Sequence, residues 1–515
     1  MMTRRAFLLA LGAALPLGTR AARASTRPAF ARDPFALGVA SGYPWPHGFV
    51  LWTRLITDFE QPDGGLGDAI LPVRWEVASD ESMRRIVARG SAEAAPERAH
   101  AVHVDVEGLE PDRWYWYRFS TGDAVSPVGR TRTAPALEST PSALRFAFAS
   151  CQQYEQGFYG AYRHLAADTP DLVAFLGDYI YESSWGRDHV RAHNSGEPYT
   201  LAEYRMRYAL YKSDRDLQAA HATCPWIVTW DDHEVDNDYA ADRSEDGMDR
   251  DRFLARRAAA YRAYFEHMPL PARMRPDGAS LRVYTQLGWG QLARFFLLDD
   301  RQYRRWQVCP RRAGGSNTVD PRRCPKINDP ERSMLGTRQE AWLARAFERS
   351  QAQWNVIGQQ TLMAQADRML GEGRRFWTDG WDGYPAARRK LLGALHARQL
   401  RNPVVIGGDV HYHAVADLKL DFDDPRAPVV ASEFCGTSIT SQAMPQKKID
   451  VVLAENPHFK FGDARQRGYV RVTLSEKLLR ADLRAMASVR TPEAECSTLA
   501  SFVVENGRPG PQRSF

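Results

Sequence analysis

Residues 229–238 read TWDDHEVDND and place five carboxylates and one histidine in ten positions, directly after the apolar run PWIV. Asp231, Asp232, Glu234, Asp236 and Asp238 repel one another on a bare surface, so either water screens them or a cation gathers them. Trp230 and Val235 interleave apolar bulk with the acids, which argues against a freely solvated loop. Three further motifs carry side chains of the same kind. GDYIYE offers Asp178 and, three residues on, Tyr181; GGDVHYH offers Asp409, His411 and His413, and strand alternation would put both histidines on one face. Cys151 ends the run LRFAFAS; taken alone it reads as a buried core cysteine. Oxygen donors suit a hard cation such as Ca²⁺ or Mg²⁺, whereas thiolate, phenolate and imidazole suit a transition metal. A mixed set therefore suggests two kinds of ion sharing a carboxylate. Paired cations can hold the oxygens of a phosphate and lower the pKa of a bound water.

The elements that must position these groups follow from the apolar rhythm. From 33 to 135, GFVLWTRL, LPVRWEVAS, AHAVHVDVEGL and RWYWYRFST alternate with period two and are rich in Val, Trp and Tyr. HVDVEGLEPDRWYWYRF resembles the corner of a fibronectin-type sandwich, so this part is expected to be a β-sandwich. TAPALESTPSA (133–143) reads as a linker. From 144 to 515, strand-like runs alternate with helical patterns such as YGAYRHLAAD and RFLARRAAAYRAYFEHM, which predicts an α/β domain. Five successive runs end on the residues named above or on similar ones: LRFAFAS at Cys151, LVAFL at Asp178, WIVTW at Asp231–Asp232, ARFFLL at Asp299–Asp300 and NPVVIGG at Asp409–His411. Sites of α/β proteins gather at the carboxyl ends of strands, so these ends are expected to converge.

The chain has 515 residues, enough for two domains, with 44% hydrophobic and 25% charged residues and a net charge of only +5. No dense Lys/Arg run is present, so no nucleic-acid partner is expected. TRRAFLLALGAALPLG carries Arg4 and Arg5 ahead of a short apolar run, and Ala22–Ala24 fit a cleavage site before Ser25. Residues 1–24 resemble a twin-arginine export signal, which implies the twin-arginine machinery as a partner and a periplasmic or secreted destination. An uncleaved membrane anchor is the alternative; no later stretch reaches 18 uninterrupted apolar residues, so stable membrane insertion is not expected. Of six cysteines, Cys309 and Cys324 bracket a polar loop that a disulfide would close.

PFALGVASGYPWPHGFVLWTRL, FASCQQYEQGFYGAYRHLA, FLGDYIYE, TWDDHEVDNDYA and SEFCGTSITS together resemble the PhoD family of exported alkaline phosphatases over nearly the whole chain. The resemblance implies an α/β metallophosphoesterase-like layered sandwich behind an N-terminal fibronectin-like β-sandwich, with Fe³⁺ and Ca²⁺ in the site. It implies Cys151, Asp178 and Tyr181 on iron, with Asp178 bridging toward calcium. Asp232 and Asn237 fall on the calcium and phosphate side, and Asp409 and His411 complete the cluster. His233 becomes the group that protonates the leaving oxygen. Asp231 can replace Asp232 as ligand, since adjacent strand-end residues point opposite ways. Asp238 stands where an Asn is more usual, and His413 has no counterpart role. Arg301 either contacts the phosphate or pairs with Asp299 or Asp300. The expected substrates are small phosphomonoesters and diesters. One alternative is a phospholipase D-type enzyme with the aromatic segment 375–385 at its mouth. Another is a calcium-stabilised binding module without turnover, which would not need Cys151, Tyr181 and a histidine-bearing strand end together.

Overall fold

Runs buried at every position form the centre of the molecule: Leu172–Leu176, Trp354–Gly358 and Pro403–Gly407. Such strands are covered on both faces, the usual state of parallel sheet. The structure is a computed structural model that describes residues 30–312 and 314–514, so Arg4, Arg5 and the cleavage site lie outside the described residues. Ala143–Ala149, Leu172–Leu176 and Trp226–Thr229 run parallel in one ten-stranded sheet. Ala293–Leu297, Trp354–Gly358, Pro403–Gly407 and Val429–Cys435 run parallel in a second, seven-stranded sheet.

The two sheets stack face to face. Phe146 of the first meets Phe295 of the second edge-on at 5.2 Å, while the next residue, Phe296, points away into the outer core beside Phe347. Val356 and Ile357 divide in the same way. Helices Leu201–Lys212, Arg215–Thr223 and Arg250–His267 cover the outer face of the first sheet through Tyr204, Tyr208, Leu217 and Tyr264. Helices Gly336–Arg349, Pro385–Ala397 and Gln446–Glu455 cover the second through Leu343, Leu392 and Val452. Local signals start the helices on the first sheet: Thr200 and Glu203 form a reciprocal capping box, and Asp214 and Asp249 cap the other two. Four antiparallel strands from Gly468 to Ser514 extend the first sheet beyond Ala143–Ala149.

The N-terminal sandwich packs Val39–Trp45, Gly48–Arg54 and Ala101–Val106 against a five-stranded sheet around Leu71–Ala78 and Trp114–Thr121. Tyr115 holds its corner, its hydroxyl bonded to the backbone of Glu110. The sandwich is not a separate body. Val39–Trp45 lies parallel to Trp226–Thr229 with Gly42 opposite Trp226, so one sheet continues from the sandwich into the α/β part. A Cβ on Gly42 would fall 2.6 Å from the Trp226 carbonyl, which is why glycine stands at the junction. The segment expected to be a linker is pinned as well: Ala134 N–H donates to the Trp45 carbonyl and Gln291 N–H to that of Ser139.

Candidate metal centre

The ends of the parallel strands turn sharply. Cys151, Asp178, Asp238, Asp409 and His411 all have φ between 53° and 63°, the left-handed region that a side chain with a Cβ seldom adopts. Each costs about 1–3 kcal/mol, and such strain collects where structure is committed to function. At Gly177 φ is 110°, and a Cβ there would lie 2.5 Å from that of Asp231. The strand ends are thus brought within contact, and the side chains after them converge.

Asp178 is the hub. It lies in one group with Cys151 and His411 and in another with Asp232 and His233, the donor atoms of each group all within 4.8 Å. Tyr181 Oη donates to Asp178 Oδ2 at 2.8 Å, stands 3.2 Å from His411 Nε2, and accepts from Ser441 Oγ at 2.8 Å. A third group is Asp232, Asp238 and Asp379. A cleft of about 600 Å³ opens onto these groups, lined by Asp178, Asp232, His233, Asn237, Asp409 and His411 together with Asp238 and Glu245. Its rim includes Trp185, Arg368, Trp377 and Met444.

The buried acids need positive charge. Burial, reinforced by neighbouring carboxylates, pushes Asp178 and Asp409 well above the usual carboxylate range; burial and the nearby Asp178 do the same to the Cys151 thiol and the Tyr181 phenol. Asp178 Oδ1 and Asp409 Oδ2 are buried without a hydrogen-bond partner among the described residues. Acceptors left bare in this way, beside a thiol, a phenol and an imidazole, fit a cation bound among them. Burial alone would depress the His233 imidazolium, but Glu182, Asp232 and Asp178 outweigh it and raise its pKa well above the ordinary value. Glu182 Oε2 lies 2.7 Å from His233 Nδ1 and fixes the ring. His411 Nδ1 sits 2.7 Å from the Gln442 carbonyl, and burial lowers its pKa to about 3, which leaves it neutral and able to ligate.

Of the adjacent pair, Asp232 faces the cleft, whereas Asp231 is turned onto Arg301. Arg301 is itself buried and does not line the cleft. Its guanidinium is committed to Asp231 and Asp379, with Asp232 Oδ2 at 3.5 Å. Asp299 and Asp300, one alternative for its partners, are not bound by its guanidinium; Asp299 instead accepts from the backbone N–H groups of Arg301 and Gln302. His413 departs from expectation too. Residues 409–412 turn before the strand His413–Lys419 begins, so alternation does not carry across, and His413 is buried away from the cleft. Cys309 and Cys324 form the expected disulfide.

Several residues of the site have roles that the sequence does not announce, even where they sit inside a motif. Glu234 accepts the backbone N–H groups of Asp178, Tyr179 and Asp231, tying two strand ends together. Glu182 and Ser441 sit inside the GDYIYE and SEFCGTSITS motifs, but no spacing marks them out. Asp379 and Glu245 reach the cluster only through tertiary folding.

Two stacked sheets with a cation-suited cleft at their strand ends, joined to a β-sandwich, define a metallophosphoesterase-like fold. The PhoD-like phosphatase family matches residues 146–483, and the PhoD-like phosphatase N-terminal domain matches residues 20–135. The chain is 44% identical over 512 residues to alkaline phosphatase D of Bacillus subtilis (strain 168), covering 98% of this chain and 86% of that one. A solved structure of PhoD superposes with a TM-score of 0.89 at 44% identity, over 95% of this chain and 93% of that one. The chain belongs to the PhoD-like phosphatase family and is a phosphoric ester hydrolase.

Proposed function

We propose that the protein is an exported phosphatase that hydrolyses small phosphomonoesters and phosphodiesters with Fe³⁺ and Ca²⁺ in the cleft. Residues 1–24 serve as the twin-arginine signal, 33–135 as the N-terminal domain and 144–515 as the catalytic domain. Cys151, Asp178 and Tyr181 would hold iron, and Asp409 and His411 would complete the cluster. Asp232 and Asn237 would hold calcium, with Asp178 shared between the two groups of ligands. The observation that carries this division is the shared Asp178, which groups once with Cys151 and His411, beside Tyr181, and once with Asp232 and His233. When bound, the cations supply positive charge to phosphate oxygens and lower the pKa of a water.

The chain's own groups do the rest. Glu182 holds His233 by Nδ1 and keeps it charged, which leaves Nε2 to give a proton to the departing ester oxygen. Asn237 lines the cleft and is fixed by donating its side-chain N–H to Glu245 Oε2 at 2.7 Å. Arg301 neutralises Asp231 and Asp379 and so supports the carboxylates around Asp232, a positioning task and not the phosphate contact considered from sequence. Of the aromatic segment 375–385, Trp381 and Tyr384 are buried in packing, whereas Trp377 lines the cleft.

Treatment with a calcium-selective chelator should abolish hydrolysis, and Ca²⁺ should restore it. Restoration by Zn²⁺ alone would refute the metal division. For export, replacing Arg4 and Arg5 with lysines should leave the precursor in the cytoplasm, because recognition reads the guanidinium pair. Normal export of that variant would point to the general secretory route.

A further inference from the structure

The disulfide loop is distant in sequence from the strand-end motifs, yet it packs behind Asp238, Glu245 and Trp377, three residues that line the cleft. Within the loop closed by Cys309 and Cys324, the Ser316 N–H donates to Asp238 Oδ2 at 2.8 Å. Gly314 and Gly315 have φ of 111° and 65° and press directly on Glu245: a Cβ on Gly315 would fall 2.8 Å from Glu245 Oε2 and 3.0 Å from Asp238 Oδ2. On the other side, Thr318–Val319 pair with Phe376–Trp377, Asn317 exchanges bonds with Thr378, and Trp377 Nε1 donates to Ser316 Oγ at 3.1 Å. That pairing carries Asp379, two residues beyond Trp377, into its place beside Asp232 and Asp238. Gln307, just outside the loop, ties the Asp238 carbonyl at 2.6 Å to Asp379 Oδ1 at 2.7 Å.

The loop has little else to keep it there. Its apolar support is a small satellite cluster of Val308, Val319, Cys324, Ile327 and Phe376, separate from the main cores. Asn317 Nδ2 donates to the Cys309 carbonyl, so the bonded cysteine is linked directly to the residue that docks on Thr378. Cys309–Cys324 is the one disulfide among the described residues.

We propose that the loop closed by Cys309–Cys324 is a positioning strap for the oxygen-ligand side of the centre, so that formation of this disulfide sets the affinity of the cleft for Ca²⁺. Resting on the assignment of calcium to the Asp232 side, it makes the cation affinity redox-sensitive. A dithiol reductant delivers two electrons and two protons, the Sγ–Sγ bond breaks into two thiols, and the reductant closes to its own disulfide. The strap is then free to leave Asp238, and Asp379 loses its register. Thiol-rich compartments would keep the centre calcium-poor, and an oxidising one would complete it.

Calcium titration calorimetry on chelator-treated protein tests this in the native chain, in native protein reduced with dithiothreitol and desalted, and in the Cys309→Ser/Cys324→Ser variant. Loss of supporting contacts around metal ligands typically costs about 10–100-fold in affinity, and a rise in Kd of that size is expected in both disulfide-free forms. Iron content and far-ultraviolet circular dichroism should stay unchanged, and reoxidation should restore the native Kd. Gly315→Ala, with the disulfide intact, should also weaken Ca²⁺, because its Cβ displaces Glu245 or Asp238. Equal isotherms in all forms would overturn the strap alone. Absence of calcium binding by the native oxidised protein would overturn the calcium assignment and the strap with it.

Discussion

At the scale of single residues, His233 differs from the other histidine of the cleft. His411 is held by a backbone carbonyl and kept neutral by burial; His233 is held by a carboxylate and kept charged. One suits ligation and the other proton donation. His233→Ala should therefore slow alkyl phosphate esters by about 10²–10⁴-fold, while esters of nitrophenol, whose anion leaves unaided, lose far less. Metal content should not change. Equal slowing of both ester classes, or loss of metal, would make His233 a ligand or a positioning group. The abrupt ends of apolar runs place Asp178, Asp232 and Asp409 at strand ends, and the fold brings these three, with His233, Asn237 and His411, to one cleft. Arg301 shows the limit: its sequence neighbours Asp299 and Asp300 are the obvious partners, but a side chain of that length crosses to Asp231 and Asp379, and only the fold decides which carboxylates lie within reach.

At the scale of elements, strand ends are legible because fully apolar runs stop abruptly at polar residues. The turns beyond them are not, because left-handed residues at Asp409 and His411 cancel the alternation that would have paired His411 with His413. The same holds for helix ends. Leu201–Lys212 closes on a lysine that is buried, its ammonium 4.1 Å over the Trp52 ring and 5.4 Å over that of Tyr179. Burial lowers its pKa to about 7. The unfolded chain keeps the ordinary lysine value near 10, so between about pH 7 and 10 it binds the proton that the folded chain releases. Stability should thus rise with pH across that window and be lowest below it. Lys212→Met should remove this slope and raise unfolding free energy at pH 7 by about 2–4 kcal/mol. Denaturant midpoints measured at pH 7 and pH 9 would check it; a variant with the same pH slope as the native chain would refute it.

At the scale of the whole molecule, composition and rhythm separate a β-rich N-terminal part from an α/β part, and both are present. Their joining is hidden. Val39–Trp45 alternates like any sandwich strand, and nothing in it announces that Gly42 will lie against Trp226. This shared sheet makes the sandwich a lateral extension of the sheet that ends in Cys151, Asp178 and Asp232, so the strand ends that form the cleft are braced from one side by the sandwich. From the other side they are braced by the antiparallel strands between Gly468 and Ser514. Two sheets, two helical layers and a disulfide strap thus converge on one cluster of buried acids suited to bind cations. Elemental analysis of pure, active protein together with its visible absorption spectrum tests that claim most directly. Iron and calcium should both be present in amounts comparable to the protein, with a visible band from tyrosinate on iron that Tyr181→Phe removes while the fold persists. A colourless, iron-free protein with full phosphatase activity would contradict the account.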